Sequence, residues 1–449
     1  MLDNKVAFIA IIRQTFDVPY AEQMTADARS QLLDAGFTLV GPHLPVTTPE
    51  EATAAAAELA GETFDLLIVF QATFADSTMV MALAHAIDAP ILLWGVPEEH
   101  TGGRLRLNSL CGINLAGHAL TRAGYPYAHL YAMPWDEAVL DVVGEQFSAG
   151  RVRRLLRGAR FGRVGENPAG FETCLVDHAA LREKLGVEVL QLDLREDVFA
   201  GMRAVPHEAT DTVAARLETQ VAGLETMDAD ATRGTLSAYV ALKTLASEQN
   251  LHGFAVRCWP EFFTEMGCAA CGAISLLSDD MLHRLPASCE ADVNGTITQF
   301  ILQHLTGLPA VGMDIVSVDD AADALVLWHC GLAPLWMAEP GTTPGVTLHS
   351  NRRLPLLMDF MLKPGLVTVA RLSAATGELR LVIGSARMVG GQKPFSGTCG
   401  LLCFDRPARS VLDTILSEGL EHHLSLSYGD QRPALRALAR LLRLPILEL

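Results

Sequence analysis

Positive charge is scarce in this sequence: 34 Lys and Arg stand against 52 Asp and Glu over 449 residues, a net charge of −18. That balance argues against a nucleic-acid partner, because neutralising phosphates needs clustered Lys and Arg. Small polar ligands fit better. Long apolar runs are missing too, and none reaches the roughly 18 to 20 residues needed to span a bilayer. The stretch "MLDNKVAFIAIIRQTFD" carries an acid and one early Lys ahead of a short β-like run, without the apolar region and small-residue cleavage site of a secretory leader. A cytoplasmic protein with no membrane partner is therefore expected. Nucleotide loops are absent as well. "GRVGENPAG" lacks the G-x-G-x-x-G spacing, and no G-x-x-x-x-G-K-[ST] occurs. There is no fixed-period repeat and no low-complexity tract.

Half of the residues are hydrophobic, and a chain of this length suggests two or three well-filled domains. "KVAFIAII", "FTLVGP", "FDLLIVF" and "APILLWGV" read as buried strands, with amphipathic helices over "YAEQMTADARSQLLDAG" and "STMVMALAHAI". This alternation predicts a doubly wound, Rossmann-like α/β domain over residues 1–160. The Arg-rich segment "RVRRLLRGARFGRVG" leads into a second α/β domain, expected over 161–340. Its strand candidates are "RFGRVG", "VEVLQLDL", "HGFAVRCW" and "AVGMDIVSV". From about residue 341 the texture becomes β-rich and barrel-like. "LVTVARLSAATGELRLVIGSARMV" alternates as two strands about a Thr-Gly turn, and the helix "QRPALRALARLLRL" closes the chain.

Nine scattered cysteines, an odd number, read as reduced core residues. Cys268 and Cys271 form a C-x-x-C, and with Cys258 and Cys289 a four-sulfur site is conceivable. The second C-x-x-C is missing and the surroundings are small and apolar, so core packing is the expectation. Arg104 and Arg106 precede a helix start at Asn108 or Ser109, where backbone N–H groups and guanidinium groups could hold a phosphate, sulfonate or carboxylate. Asp314 is expected near the end of a buried strand, His329 at the end of another, and Glu261 at a strand exit. The C-terminal end of a strand is where an open α/β sheet presents reactive groups. Glu290 and Asp292 open a run of helical periodicity, and His422 and His423 precede an alternating one.

Five segments, "CWPEF", "CEADVNGTIT", "PAVGMDIVSVD", "LWHCGLAP" and "GLEHHLSLSYGD", resemble in order and spacing the L-fucose isomerase and L-arabinose isomerase superfamily. The resemblance implies two α/β domains followed by a β-barrel-like domain. It also implies an aldose–ketose isomerase acting on a monosaccharide through a cis-enediol, with Mn²⁺, Mg²⁺ or Co²⁺ as cofactor. Motif by motif, Glu290 and Asp314 take the places of the carboxylates that bind metal and move protons. His423 takes that of the metal histidine in preference to His422. His329 resembles a further histidine of the arabinose enzymes, leaving its role open between metal ligand and sugar contact.

Residues i and i+2 on a helix point about 200° apart, so Asp292 is expected to serve the helix start while Glu290 serves the site. Trp259 and Glu261 are expected to line the sugar pocket. Arg13, Gln14 and the loop 95–108 would cap a neighbouring subunit's site, because the family forms hexamers or other multimers with active sites between subunits. The chain is shorter than typical fucose isomerases, so the substrate is less defined than the reaction. Arg104, Arg106, Arg352 and Arg353 keep open an anionic sugar such as sulfoquinovose. A non-catalytic sugar-binding or regulatory protein is the alternative of another class.

Overall fold

The computed structural model describes residues 4–280 and 283–449, which divide into two compact units. The first comprises residues 1–155 with 433–443, the second 156–432 with 444–449. The helix Arg432–Leu442, read from sequence as the end of the third domain, thus belongs almost wholly to the first unit.

In the first unit, β1 (Lys5–Ile11), β2 (Thr38–Val40), β3 (Leu67–Gln71), β4 (Ile91–Gly95) and β5 (Tyr127–Tyr131) form a parallel sheet in the order β2-β1-β3-β4-β5. Side chains along a strand alternate between faces, and β1 divides accordingly. Val6, Phe8 and Ala10 enter one core, and Ala7, Ile9 and Ile11 enter the other. Burial on both faces explains why these strands read as continuous apolar runs. A further helix, Pro49–Glu58, starts at a Thr48 cap with Pro at its first position. The Arg-rich segment 151–165 is the end of one helix followed by the strand Arg160–Val164. Arg151 and Arg154 lie in Ala138–Leu156 and grip the buried Asp65 at 3.1 and 2.6 Å.

The second unit contains two sheets. β6 (Arg160–Val164), β7 (Glu188–Leu192), β8 (Phe254–Val256) and β9 (Ala287–Ser288) are parallel, in the order β7-β6-β8-β9. The other sheet holds β10 (Val311–Asp319), β11 (Ala324–His329), β12 (Gly345–Thr347), β13 (Leu357–Met361), β14 (Gly365–Ser373), β15 (Arg380–Val389), β16 (Thr398–Phe404), β17 (His423–Tyr428) and β18 (Ile446–Glu448). Six of these strands close on themselves as β16-β11-β10-β17-β14-β15, because β15 also pairs with β16. The architecture is therefore α/β with a closed C-terminal barrel, as the sequence suggested.

One expectation is overturned. "AVGMDIVSV" is not a strand of the parallel sheet but β10, antiparallel to both β11 and β17 in the barrel. The barrel begins near residue 311 rather than 341, and Asp314 is a barrel residue. Periodicity identifies a strand but not its partner, which is why the boundary was misplaced.

Candidate active site

Strand register brings the site together. Asp314 on β10 lies directly opposite His423 on β17, and on its other side opposite Trp328 on β11, one residue before His329. Directly opposed residues hold their Cβ atoms about 5 Å apart. Three side chains from adjacent antiparallel strands thus share one patch of the barrel. Glu290 arrives from the parallel sheet, two residues beyond β9. There Glu290 and Ala291 adopt φ of +60° and +55°, a left-handed conformation uncommon for side-chain-bearing residues. Neighbours hold it in place. Asn167 Nδ2 donates to the carbonyls of Glu290 and Ala291 at 2.8 and 3.1 Å, and the Ala291 amide donates to Val256 O at 3.1 Å.

His423 has two differently employed nitrogens. Its Nδ1 donates to Asp292 Oδ2 at 3.0 Å. Its buried Nε2 has no hydrogen-bond partner and faces Asp314 Oδ1, also buried and unpartnered, at 3.3 Å. Glu290 Oε2 lies 3.8 Å from the same nitrogen. His422 differs, because both of its nitrogens are engaged: Nε2 with Glu290 Oε2 at 2.9 Å and Nδ1 with Thr173 Oγ1 at 2.7 Å. His422 therefore orients Glu290, while the Nε2 of His423 is left without a hydrogen-bond partner.

Two sets of potential ligand atoms lie within 4.8 Å of one another: Cys174, Glu290, His422 and His423 in one, and Asp314, His329 and His423 in the other. His423 belongs to both. The expected trio of Glu290, Asp314 and His423 thus converges on one imidazole nitrogen, with Glu290 at present turned towards His422. His329 joins the Asp314 side, its Nδ1 accepting from the Cys330 amide at 2.9 Å.

Asp292 does more than its expected task. It caps the helix Val293–Thr306 by accepting from the Gly295 amide, as anticipated. In addition, it is clamped by Arg371 at 2.5 and 3.0 Å, both side chains about 1% exposed, and fixes the His423 ring. A carboxylate on the remote nitrogen of a histidine sets its tautomer and raises its basicity as a ligand. Sequence reading missed Arg371, although a charged residue sharing a strand face with Val367 and Val369 in "LVTVARLS" was the available signal. It also missed Asn167 and Thr173, whose loops carry no motif.

The electrostatics follow. Burial would raise the Asp314 carboxyl, but His329 and His423 beside it hold it down to about 2. Burial would lower His423, yet Asp292 and Asp314 push it up to about 10. Asp292 is likewise held well below the carboxylate range, against the effect of burial, by Arg371 and His423. Asp292 and Glu421 flank the Arg371 guanidinium, while Glu290 and Asp314 flank His423 with no guanidinium paired to them. That excess of negative charge suits a cation. Asp314 Oδ1 and His423 Nε2 are spaced much as neighbouring ligands of a small divalent ion are, roughly 3 Å for bonds of about 2.1 Å.

A cavity of about 310 Å³ opens beside these groups. Trp259, Glu290, Asp314, Trp328, His329 and Arg352 are on its wall. Glu261, expected on the sugar pocket, is instead bound to Arg257 at 2.8 Å and is not among the wall residues.

The remaining candidates belong to the first unit. Arg13 lies over the Phe74 ring, and Gln14 is exposed in the same loop. The anion site expected at the start of the helix Ser109–Ala123 is filled by the chain itself: the Glu98 carboxylate accepts from the amides of Arg106, Leu107 and Asn108 at 2.6 to 2.9 Å. Arg106 pairs with Asp17 at 2.9 Å, and Arg104 donates to the Thr15 carbonyl. Local carboxylates and carbonyls thus take the donors that were read as open. Among the described residues no helix is long and apolar enough to cross a membrane.

Known proteins resemble this chain along its whole length. Residues 7–155 match the family described as Fucose/sulfoquinovose isomerase, N-terminal domain. Sulfoquinovose isomerases of Priestia aryabhattai, Alkalicoccus urumqiensis and Clostridium sp. (strain MSTE9) are 32%, 31% and 30% identical to it, over 99% of this chain and 99% of each of theirs. Two periplasmic solute-binding proteins, from Actinobacillus succinogenes 130z and Agrobacterium vitis, align at 11% and 14% identity with TM-scores of 0.17. These alignments cover 68% of this chain and 92% and 90% of theirs, and at such scores they bear on neither fold nor function. The full-length likeness to curated isomerases decides between enzyme and receptor: the chain belongs to the fucose isomerase-like superfamily and is an aldose–ketose isomerase.

Proposed function

We propose that the substrate is sulfoquinovose, an anionic aldose, interconverted with its 2-ketose through a cis-enediol, rather than a neutral fucose- or arabinose-like sugar. One observation carries this reading: relatives named for that sugar align with 99% of the chain. Arg352 agrees with it. It is the one guanidinium among the cavity's described wall residues, a cationic group that complements an anionic substrate.

The reaction takes a proton from C2 of the aldose and returns it to C1. Glu290 and Asp314 are assigned to these transfers, one as base and the other as acid. The Glu290 hydrogen bond to His422 and the Asp292–His423 pair keep the groups oriented. A hard divalent cation, Mn²⁺ or alternatively Mg²⁺ or Co²⁺, fits Glu290, Asp314 and His423, and when bound would supply Lewis-acid stabilisation of the charge on the sugar's carbonyl oxygen. The same reading makes the protein cytoplasmic and homo-oligomeric, with Arg13 and Gln14 near a neighbouring subunit's site.

The test is a substrate panel of sulfoquinovose, glucose 6-phosphate, glucose, L-fucose and L-arabinose, run on chelated protein and again after Mn²⁺ addition. Turnover of sulfoquinovose above all others, restored by Mn²⁺, is expected. Preference for a neutral sugar would reject the substrate assignment, and full activity after chelation would reject the cation. Arg352→Ala should raise KM for the sulfonated sugar roughly 10- to 100-fold, the worth of one charged hydrogen bond, while leaving kcat within about threefold.

A further inference from the structure

Four of the nine cysteines meet on the wall of this same cavity. Cys258 follows β8, Cys271 opens the helix Cys271–Asp279, Cys289 directly precedes Glu290, and Cys330 directly follows His329. All are free thiols. The Cys271 and Cys330 sulfurs are 3.1 Å apart, and those of Cys271, Cys289 and Cys330 all lie within 4.8 Å of one another. Cys258 shares the cavity wall with Cys289. The C-x-x-C of the sequence is not the motif it resembled. Cys268 turns away towards Gly234 and Thr235, and Cys330, 59 residues beyond Cys271, takes its place.

Core packing explains single buried thiols, but not the convergence of four segments on one point that borders a cavity. Three thiolates around a zinc-class ion sit about 3.8 Å apart, for metal–sulfur bonds of about 2.3 Å in tetrahedral array. The Cys271–Cys330 separation of 3.1 Å is somewhat shorter than that value, and none of the three separations exceeds 4.8 Å. Cys330 is only partly buried, so an ion arriving through the cavity reaches a sulfur first.

We propose that Cys271, Cys289 and Cys330 form a second metal site, specific for thiophilic d¹⁰ cations such as Zn²⁺ or Cd²⁺ and separate in ligand chemistry from the carboxylate–imidazole centre. On binding, three S–H bonds give way to three metal–sulfur bonds and the protons pass to solvent. The fourth position faces Cys258 or water from the cavity. The site stands independently of which sugar the enzyme takes.

Titration of the reduced, full-length protein with Cd²⁺ in excess Mg²⁺ tests it. Ultraviolet cadmium–thiolate absorption should rise to one equivalent and then level off. Cys330→Ser should remove about a third of that absorption, one of three sulfurs, and weaken binding at least tenfold, whereas Cys268→Ser should change neither. Absence of a thiolate band in the wild-type protein, or a band unaltered by Cys330→Ser in protein with native circular dichroism, would overturn the proposal. Loss of the band in Cys268→Ser alone would overturn it equally, by placing the ion elsewhere.

Discussion

Two charged clusters in this molecule look alike in sequence and differ in structure. At the start of the helix Ser109–Ala123, Glu98 fills the backbone amides, Asp17 holds Arg106, and Thr15 receives Arg104. Among His423, Asp314 and Glu290 the accounts do not close: two buried polar atoms face one another without hydrogen-bond partners. A buried polar group is normally satisfied. The first cluster therefore stabilises its loop, and the second leaves two buried atoms open, as the proposed cation site requires.

The largest expected effect falls on the open cluster. Asp314→Asn should lower kcat by on the order of 10² to 10⁴, the worth of a positioned acid–base group, with unchanged circular dichroism. A near-normal rate would remove Asp314 from the chemistry and erase the contrast. Next is Asp292→Asn, which takes from the buried Arg371 the nearer of its two ion-pair partners. Urea unfolding should report a loss of about 3–5 kcal/mol, and the His423 pKa, followed by NMR, should fall.

The pH dependence of metal-free protein sharpens the same point. The Asp314 contribution is present above its ordinary value of 3.8 and is lost as pH falls towards about 2. That of His423 is present below 6.5 and is lost as pH rises through about 10. Thermal midpoints of the metal-free protein should therefore peak between these limits and fall on the alkaline side. A profile flat from pH 6 to 10 would contradict the paired state of His423. The smallest effect belongs to the closed cluster. Glu98→Gln should cost only about 1 kcal/mol, since its carboxylate is partly exposed and screened, and should leave kcat within twofold.

How much of this was legible in advance varies with the range of the interaction. The strands of the first sheet announced themselves because both faces are buried, and the hairpin β14–β15 did so by alternation about Thr376-Gly377. Glu290, Asp314 and His423 were reached through motif resemblance, and register then explained why two of them meet. Asp314 was assigned to the wrong sheet because a strand's own residues do not reveal whether its neighbour runs parallel or antiparallel. Glu261 and Arg106 were read as available when Arg257 and Asp17 had already engaged them.

By itself, the sequence determined the local matters: which segments are strands or helices, and where helices are capped. Those depend on neighbours a few residues away. Only the tertiary structure decided that Asp292 reaches His423 through its second oxygen while Arg371 holds it, and that Cys330 rather than Cys268 joins Cys271. Such choices rest on contacts between residues dozens to more than a hundred positions apart, whose geometry is set by sheet register and barrel closure, and no periodicity along the chain encodes them.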